Sequence, residues 1–256
     1  MKIAQLRGLL IDVQGVLTIG RAPVPGAGAA LEWLRQRGIP FRVVTNITQQ
    51  SRAEIAAALS RLGIALQPAE IYTASALAAA YLRRQGAPRT WVLLKGSAYE
   101  DFAGLELTDH EPQYIVLGDL GDDFNAEMMN RIYRALLAGA QLVAPQRNAA
   151  WIAPEGPRLD VGSWIAALEY ATGQPALIAG KPAPLAYELP LADMGIAPHE
   201  AGMVSDAPDD DLAGARAAGL KTIFTRTNGL PRRRPVADDE FDYTIDSIAD
   251  LPALLG

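Results

Sequence analysis

Four side chains that could carry out chemistry follow apolar segments at distant points of the 256-residue chain. Asp12 follows the apolar run at residues 8–11, Thr45 and Asp206 each end a further apolar run, and Lys181 lies in a Gly-Lys-Pro turn. Strands of a parallel sheet are covered on both faces and are therefore apolar throughout. Their carboxyl ends meet at one edge of the sheet, where ligands bind. The sequence therefore predicts that these four groups meet at one site.

Two carboxylates, a hydroxyl and an ammonium at one sheet edge suit phosphoryl transfer. Asp12 and Asp206 could hold a hard divalent cation such as Mg²⁺, which prefers oxygen ligands. The cation and Lys181 would screen the phosphate charge from Asp12, whose other oxygen could then attack phosphorus. Thr45 and nearby backbone N–H groups could hold the phosphoryl oxygens. Each residue alone also has a structural interpretation, such as helix capping by Asp12.

Composition excludes several other kinds of chemistry. The chain has no cysteine and only two histidines, which excludes thiolate nucleophiles and cysteine metal sites and disfavours a serine triad. The formal net charge of −6 argues against a nucleic-acid partner, and the one basic cluster, Arg232-Arg233-Arg234, is short. No apolar stretch approaches the roughly 18 residues that a membrane helix needs, and no signal peptide is evident. We therefore expect a cytoplasmic protein with neither a membrane nor a nucleic acid as partner.

The order of predicted elements indicates an α/β protein with a discontinuous core. Strands and helices alternate through the first part of the chain and again after residue 176. This alternation predicts a doubly wound, Rossmann-like parallel sheet, which we assign to residues 1–77 and 179–256. Residues 78–178 break the rhythm and are predicted to form a second, inserted α/β domain. Within it, residues 145–162 are rich in Pro and Gly and are expected to form a loop.

The four candidate segments also match a known family in order and type. The chain resembles the haloacid dehalogenase (HAD) superfamily in motifs I to IV, which here read Asp12-Val-Gln-Gly-Val-Leu, Val44-Thr45-Asn46, Gly180-Lys181-Pro182, and Ser205-Asp206 with Asp211-Leu-Ala-Gly-Ala. The position of the insert resembles the type IIA (C2) cap of the sugar- and p-nitrophenyl-phosphatase branch. Residues 159–171 are most similar to the phospholysine phosphohistidine inorganic pyrophosphate phosphatase group.

The resemblance implies a Mg²⁺-dependent phosphatase that acts on a small phosphorylated substrate through an aspartyl-phosphate intermediate. It also allows a homodimer, because the cap often mediates dimers in this branch. The implied roles are nucleophile and metal ligand for Asp12, metal ligand through its backbone carbonyl for Gln14, phosphate binding for Thr45 and Asn46, stabilisation of the intermediate for Lys181, metal ligand for Asp206, and a second acid acting through water for Asp211.

Two positions depart from the family pattern. Gln14 replaces the second acid of the usual Asp-x-Asp motif, which protonates the leaving group, and Ser205 replaces the usual glycine. A carboxamide can donate a hydrogen bond but cannot transfer a proton, and general acid catalysis is typically worth about 10²–10⁴-fold. We therefore expect substrates with a good leaving group, or with one that carries its own proton, so that it departs without protonation by the enzyme. Phosphoramidates, acyl phosphates and aryl phosphates qualify.

Two alternatives remain open from the sequence. The chain could be a phosphate-binding or interaction module that kept the site and lost turnover at Gln14. It could also be a carbon–halogen hydrolase, although Asp206 and Lys181 suit a metal and a phosphate better.

Three residues of the insert are candidates for substrate selection. Trp151, Arg158 and Asp160 lie in the Pro/Gly-rich segment, which we expect to face the core site, where a cap can exclude water. The structural alternative is a tryptophan in the core of the cap together with surface charges.

Overall fold

The helices and strands are those of an α/β chain. The computed structural model describes residues 6–153, 156–227 and 236–256, so the cluster Arg232-Arg233-Arg234 lies outside the described residues. In chain order, the strands are β1 (Gly8–Ile11), β2 (Thr18–Ile19), β3 (Ala22–Pro23), β4 (Phe41–Thr45), β5 (Ile71–Thr73), β6 (Thr90–Leu93), β7 (Tyr114–Leu117), β8 (Gln141–Ala144), β9 (Ala150–Ala153), β10 (Gly156–Leu159), β11 (Leu177–Ile178), β12 (Ala201–Ser205), β13 (Lys221–Thr225) and β14 (Tyr243–Ile245). The α-helices are α1 (Ala27–Gln36), α2 (Arg52–Arg61), α3 (Ala74–Arg84), α4 (Ala126–Leu137), α5 (Val161–Thr172), α6 (Leu185–Met194), α7 (Ala213–Ala217) and α8 (Leu251–Leu255).

These elements form two compact units. The first unit comprises Met1–Thr45, Ala53–Tyr72 and Lys181–Gly256, and the second comprises Asn46–Arg52 and Thr73–Gly180. The second unit thus includes the short segment 46–52, which the sequence did not separate from its surroundings. The domain limits expected at residues 77 and 178 stay predictions.

The main sheet has six strands in the order β14-β13-β12-β1-β4-β5. Strand β1 pairs in parallel with both β12 and β4, and β13 pairs in parallel with β12 and β14. The chain therefore runs outward from β1 through β4 and β5, and then returns to β12 and runs outward the other way. This makes the boundary between β1 and β12 the topological switch point of a doubly wound sheet, where ligands bind beyond the carboxyl ends of the strands.

The uniform burial of the central strands explains their sequences. All four residues of β1 and all five of β12 are buried, so neither strand shows an apolar–polar alternation. The expected α/β fold class is confirmed by these parallel sheets. Among the described helices, none combines the length and apolar character that a membrane crossing requires.

The second unit has its own parallel sheet, in the order β11-β8-β7-β6. Its core joins this sheet to helices α4 and α5 through residues such as Ile115, Ile132 and Ile165, all fully buried. The predicted loop at 145–162 is wrong in part, because β9 and β10 form an antiparallel pair there. The sequence of this segment predicted a loop because β10 contains Pro157 and pairs with β9 in a two-stranded sheet.

Candidate active site

The carboxylate of Asp12 lies at the carboxyl end of β1, at the switch point. The Asp12 backbone N–H donates to the carbonyl of Val204 in β12 at 3.0 Å, which extends the β1–β12 pairing to this residue. The chain then turns at once, because the carbonyl of Val13 accepts from Leu17 N–H at 2.8 Å and from Thr18 N–H at 2.9 Å. The Asp12 side chain is therefore held at the sheet edge on a short, closed turn.

Lys181 connects two carboxylates that are far apart in sequence. Its Nζ lies 2.5 Å from Oδ1 of Asp12 and 2.6 Å from Oδ2 of Asp211. All three residues are buried, with exposed fractions of 4% for Lys181, 7% for Asp12 and 5% for Asp211. Charge-assisted hydrogen bonds of this length are strong, and burying charges is costly unless they are paired in this way.

Burial and neighbouring charge shift the ionisation of this cluster. Burial raises the pKa of Asp12 to about 7; the charge of Asp211 acts in the same direction, while Lys181 opposes the rise. Burial would lower the pKa of Lys181, but Asp12 and Asp211 together raise it to about 12. The ammonium therefore stays charged at neutral pH, whereas ionisation of Asp12 is held back in the metal-free protein.

Asp211 is fixed from two further directions. Its Oδ2 also accepts a hydrogen bond from the Ser205 hydroxyl at 2.8 Å, and its backbone carbonyl accepts one from the Tyr187 hydroxyl at 2.8 Å. The residue lies in a single π-helical turn, Pro208–Leu212, between β12 and α7. Burial raises the pKa of Tyr187, so its hydroxyl stays a neutral donor. Asp211, predicted to be a metal ligand through water, thus contacts the lysine; the metal role stays a prediction.

Asp206 approaches the turn after β1 at a glycine. Gly15 has a φ of +81°, and a Cβ added there would lie 2.2 Å from the Cγ and Oδ2 atoms of Asp206. Only a residue without a side chain leaves room for this approach and adopts this φ without strain. The Asp206 carboxylate therefore lies directly against the backbone of the Asp12 turn.

Thr45 and Gln14 border the same region of the first unit. Thr45 is the last residue of β4 and is buried. Gln14 is half-buried, and its Oε1 accepts from the Thr18 hydroxyl at 3.5 Å. Asn46 falls in the second unit, where its Oδ1 lies 2.6 Å from the point a Cβ on Gly180 would occupy.

The structure gives two of the three cap candidates partners in their own unit. Arg158 in β10 forms an ion pair with Asp122. Asp160 caps α5, accepting from Val161 N–H at 2.6 Å, and its other oxygen accepts from the Gln146 amide at 3.0 Å. Trp151 is paired with Arg158 through the backbone of β9, and its side chain is outside the described structure. A role of these three residues in substrate selection stays a prediction.

The first unit offers oxygen donors that fit Mg²⁺. Asp12, Asp206 and the carbonyl of Gln14 are all hard ligands near the turn after β1. Across the described ranges, no three side chains of the His, Cys, Asp and Glu types are grouped to hold a metal ion. Mg²⁺ is commonly bound through one or two carboxylates while keeping several waters or substrate phosphates, so this sparse set fits that ion.

Two residues that shape the site could not be found from the sequence. Tyr187 lies in the largely apolar helix α6 and has the pattern of an ordinary core residue; its contact with Asp211 depends on the tertiary fold. Thr18 follows the motif I turn, and no feature of the sequence predicts its hydrogen bond to Gln14. Ser205 was notable only as a departure from glycine.

The fold and the site together define a doubly wound α/β protein with a buried Asp–Lys–Asp cluster at its switch point. The family description haloacid dehalogenase-like hydrolase matches residues 9–108, and a second HAD-hydrolase-like description matches residues 178–251. The chain belongs to this family, as the sequence motifs predicted.

Relatives along nearly the full chain support this placement. Haloacid dehalogenase-like hydrolase domain-containing protein 2 of Rattus norvegicus is 34% identical over 92% of this chain and 88% of its own length. Phospholysine phosphohistidine inorganic pyrophosphate phosphatase of Bos taurus is 31% identical over 99% of this chain and 96% of its own. The expected HAD-type phosphatase of this branch is confirmed at the level of family and enzyme class.

Solved structures show the same fold. The p-nitrophenyl phosphatase from Archaeoglobus fulgidus has a TM-score of 0.86 at 26% identity, covering 98% of this chain and 100% of that one. NagD from E. coli K-12 has a TM-score of 0.82 at 23% identity, covering 98% of both chains, and this likeness concerns the fold alone.

Proposed function

We propose that this enzyme is a Mg²⁺-dependent phosphatase that transfers a phosphoryl group from a small substrate to Asp12 and then to water. The observation that carries the proposal is the contact of 2.5 Å between Lys181 Nζ and Asp12 Oδ1, buried at the switch point of the sheet. One carboxylate oxygen is thereby neutralised by an ammonium, and the other remains available as a nucleophile.

The proposed reaction has two half-reactions, both at the Asp12 carboxylate. The Asp12 oxygen that is not bound to Lys181 attacks phosphorus, and the leaving group departs with the electrons of its bond to phosphorus. Water then attacks the same phosphorus as the bond between phosphorus and the Asp12 oxygen breaks. The bond's electrons return to the carboxylate, and the protons of the water leave with the inorganic phosphate as dihydrogen phosphate. The Lys181 ammonium offsets the negative charge of the phosphoryl oxygens, and the Thr45 hydroxyl can donate to one of them.

Bound Mg²⁺ would supply further charge neutralisation and orient the phosphoryl group. Asp12, Asp206 and the Gln14 carbonyl would hold it. Asp211 would keep Lys181 in place. These are the roles that the family resemblance implies, with the role of Asp211 taken from its contact with Lys181.

The side chain of Gln14 restricts the substrate class. Its Oε1 lies 3.5 Å from the Thr18 hydroxyl, and its amide can donate a hydrogen bond to the leaving group. A hydrogen bond stabilises developing charge but transfers no proton. We therefore propose phosphoramidates, acyl phosphates and aryl phosphates as the preferred substrates. The names of the Bos taurus and Archaeoglobus fulgidus relatives, which specify phospholysine, phosphohistidine and p-nitrophenyl phosphate, agree with this class.

The test is hydrolysis of a panel of phosphorylated compounds with Mg²⁺ and with chelator. We expect Mg²⁺-dependent release of phosphate from p-nitrophenyl phosphate and phosphohistidine at similar rates, and much slower release from an alkyl phosphate. An alkyl phosphate hydrolysed as fast as p-nitrophenyl phosphate would contradict the substrate class. Activity retained in Asp12→Asn would contradict the nucleophile.

The loss of the motif I acid also supports a second candidate, a phosphate-binding module without turnover. Under this alternative, no compound in the panel is hydrolysed, while Mg²⁺ and phosphate together still raise the melting temperature. The same panel, with one thermal measurement added, therefore separates the two functions.

A further inference from the structure

We propose that Ser205 is a positioning residue, whose hydroxyl fixes the Asp211 carboxylate so that Asp211 holds Lys181 against Asp12. The inference rests on the proposed function for its kinetic consequences. Its structural premise, a serine–aspartate–lysine chain, stands on the geometry alone.

The Ser205 hydroxyl is built into the site on both sides. It donates to Oδ2 of Asp211 at 2.8 Å and accepts from the Ala207 backbone N–H at 3.1 Å. Ser205 is the last residue of β12 and is fully buried, so no water can replace these partners without a rearrangement. The hydroxyl therefore has one orientation that satisfies both bonds.

The Ser205 hydroxyl and the Lys181 ammonium bind the same carboxylate oxygen of Asp211. Its Oδ2 accepts from Ser205 and also lies 2.6 Å from Lys181 Nζ. The Tyr187 hydroxyl holds the backbone of Asp211 but leaves the side-chain torsions free. Ser205 is thus the group that fixes the rotation of the carboxylate, and through it the place of the ammonium. Without the hydroxyl, Oδ2 can turn away, and Lys181 then loses its contact with Asp211.

The kinetic test is a double-mutant cycle between Ser205→Ala and Asp211→Asn, measured as kcat and KM with p-nitrophenyl phosphate and Mg²⁺. If Ser205 acts through Asp211, we expect Ser205→Ala to lower kcat about tenfold, with KM changed less than about threefold. We expect Asp211→Asn to lower kcat about a hundredfold, and the double variant to be no slower than Asp211→Asn. Independent effects would instead multiply to about a thousandfold and would overturn the proposal.

Two further variants separate positioning from general loss of stability. Thr222 lies on β13, the strand next to β12, and its fully buried hydroxyl donates to Asp242 Oδ2 at 3.0 Å. Thr222→Val removes this hydroxyl. It should lower the melting temperature and leave kcat within about twofold. Ser205→Thr keeps a hydroxyl and should recover most of kcat. A Ser205→Ala variant with unchanged kcat, or one no slower than Thr222→Val, would overturn the proposal.

A crystal structure of Ser205→Ala tests the premise without reference to turnover. We expect Asp211 Oδ2 to have moved beyond hydrogen-bond distance of Lys181 Nζ. An Asp211–Lys181 contact unchanged from 2.6 Å would refute the positioning role. If the wild-type enzyme proved inactive on every substrate, the proposed function would fail, and this structure would still decide the role of Ser205.

Discussion

The Nζ atom of Lys181 lies 2.5 Å from Oδ1 of Asp12, although 169 residues separate the two in sequence. The contact joins the first strand of the core to the turn where the chain re-enters it. It places a positive charge beside a carboxylate whose burial, even with Lys181 opposing it, raises the pKa to about 7.

Replacement of this lysine should destabilise the metal-free protein strongly. Lys181→Met leaves Asp12 and Asp211 buried without their shared cation, and removal of one partner from a buried ion pair costs about 3–5 kcal/mol. We expect this loss in urea unfolding with chelator. The matched control is Lys221→Met, which removes a surface ammonium 2.9 Å from Asp242 and should cost less than about 1 kcal/mol. Equal losses in the two variants would contradict a buried, structural charge on Lys181.

A methyl group at Gly15 should damage the metal site. In Gly15→Ala the new Cβ would lie 2.2 Å from the Asp206 carboxyl group, so the carboxylate must move. We expect the Mg²⁺ concentration for half-maximal activity to rise at least about tenfold and kcat to fall. Gly20→Ala is the control, because Gly20 also has a positive φ, of +58°, but has nothing within 4 Å of the added Cβ. If both variants behave alike, backbone strain rather than displacement of Asp206 explains the loss.

The raised pKa of Asp12 predicts a specific pH dependence of stability. Burial raises this pKa from 3.8 to about 7, so the folded metal-free protein retains a proton that the unfolded chain releases. The contribution of Asp12 to stability is therefore fully present below pH 3.8 and is lost as the pH rises to about 7. Measured with chelator, the free energy of unfolding of the wild type should fall relative to Asp12→Asn between about pH 4 and pH 7. A difference that does not change over this range would refute the raised pKa.

Restoring the acid of motif I should widen the substrate range. Gln14→Asp supplies a group that can protonate the leaving group, so hydrolysis of an alkyl phosphate should increase by about 10²-fold or more. Hydrolysis of p-nitrophenyl phosphate should change little, because its leaving group needs no proton. Gln14→Asn has the same size as Gln14→Asp without the acid and should show no gain. An equal gain with both substrates would point to an effect other than leaving-group protonation.

The core of the fold could be predicted because burial leaves a direct mark on its sequence. Strands β1 and β12 are covered on both faces and are therefore uninterrupted apolar runs. The two antiparallel strand pairs, β2 with β3 and β9 with β10, could not be predicted in the same way. Their strands are two to four residues long, β3 and β10 contain Pro, and such short segments carry no usable period.

The site could be predicted as far as strand ends determine it. Asp12 and Asp206 follow strands of one parallel sheet and Thr45 ends another strand of it, and that placement required only the order of the elements. The partner of Asp211 depends instead on side-chain rotation within a π-helical turn. No sequence pattern encodes that rotation, so its contacts with Lys181 and Ser205 became evident only in three dimensions.

The most direct test of the central claim is acid-quench trapping of the enzyme during turnover of a ³²P-labelled phosphoramidate or acyl phosphate with Mg²⁺. We predict label that is stable in acid, is released by hydroxylamine and maps to the peptide containing Asp12, with no label on Asp12→Asn. Turnover without any labelled protein, or label that persists in Asp12→Asn, would contradict transfer through this aspartate.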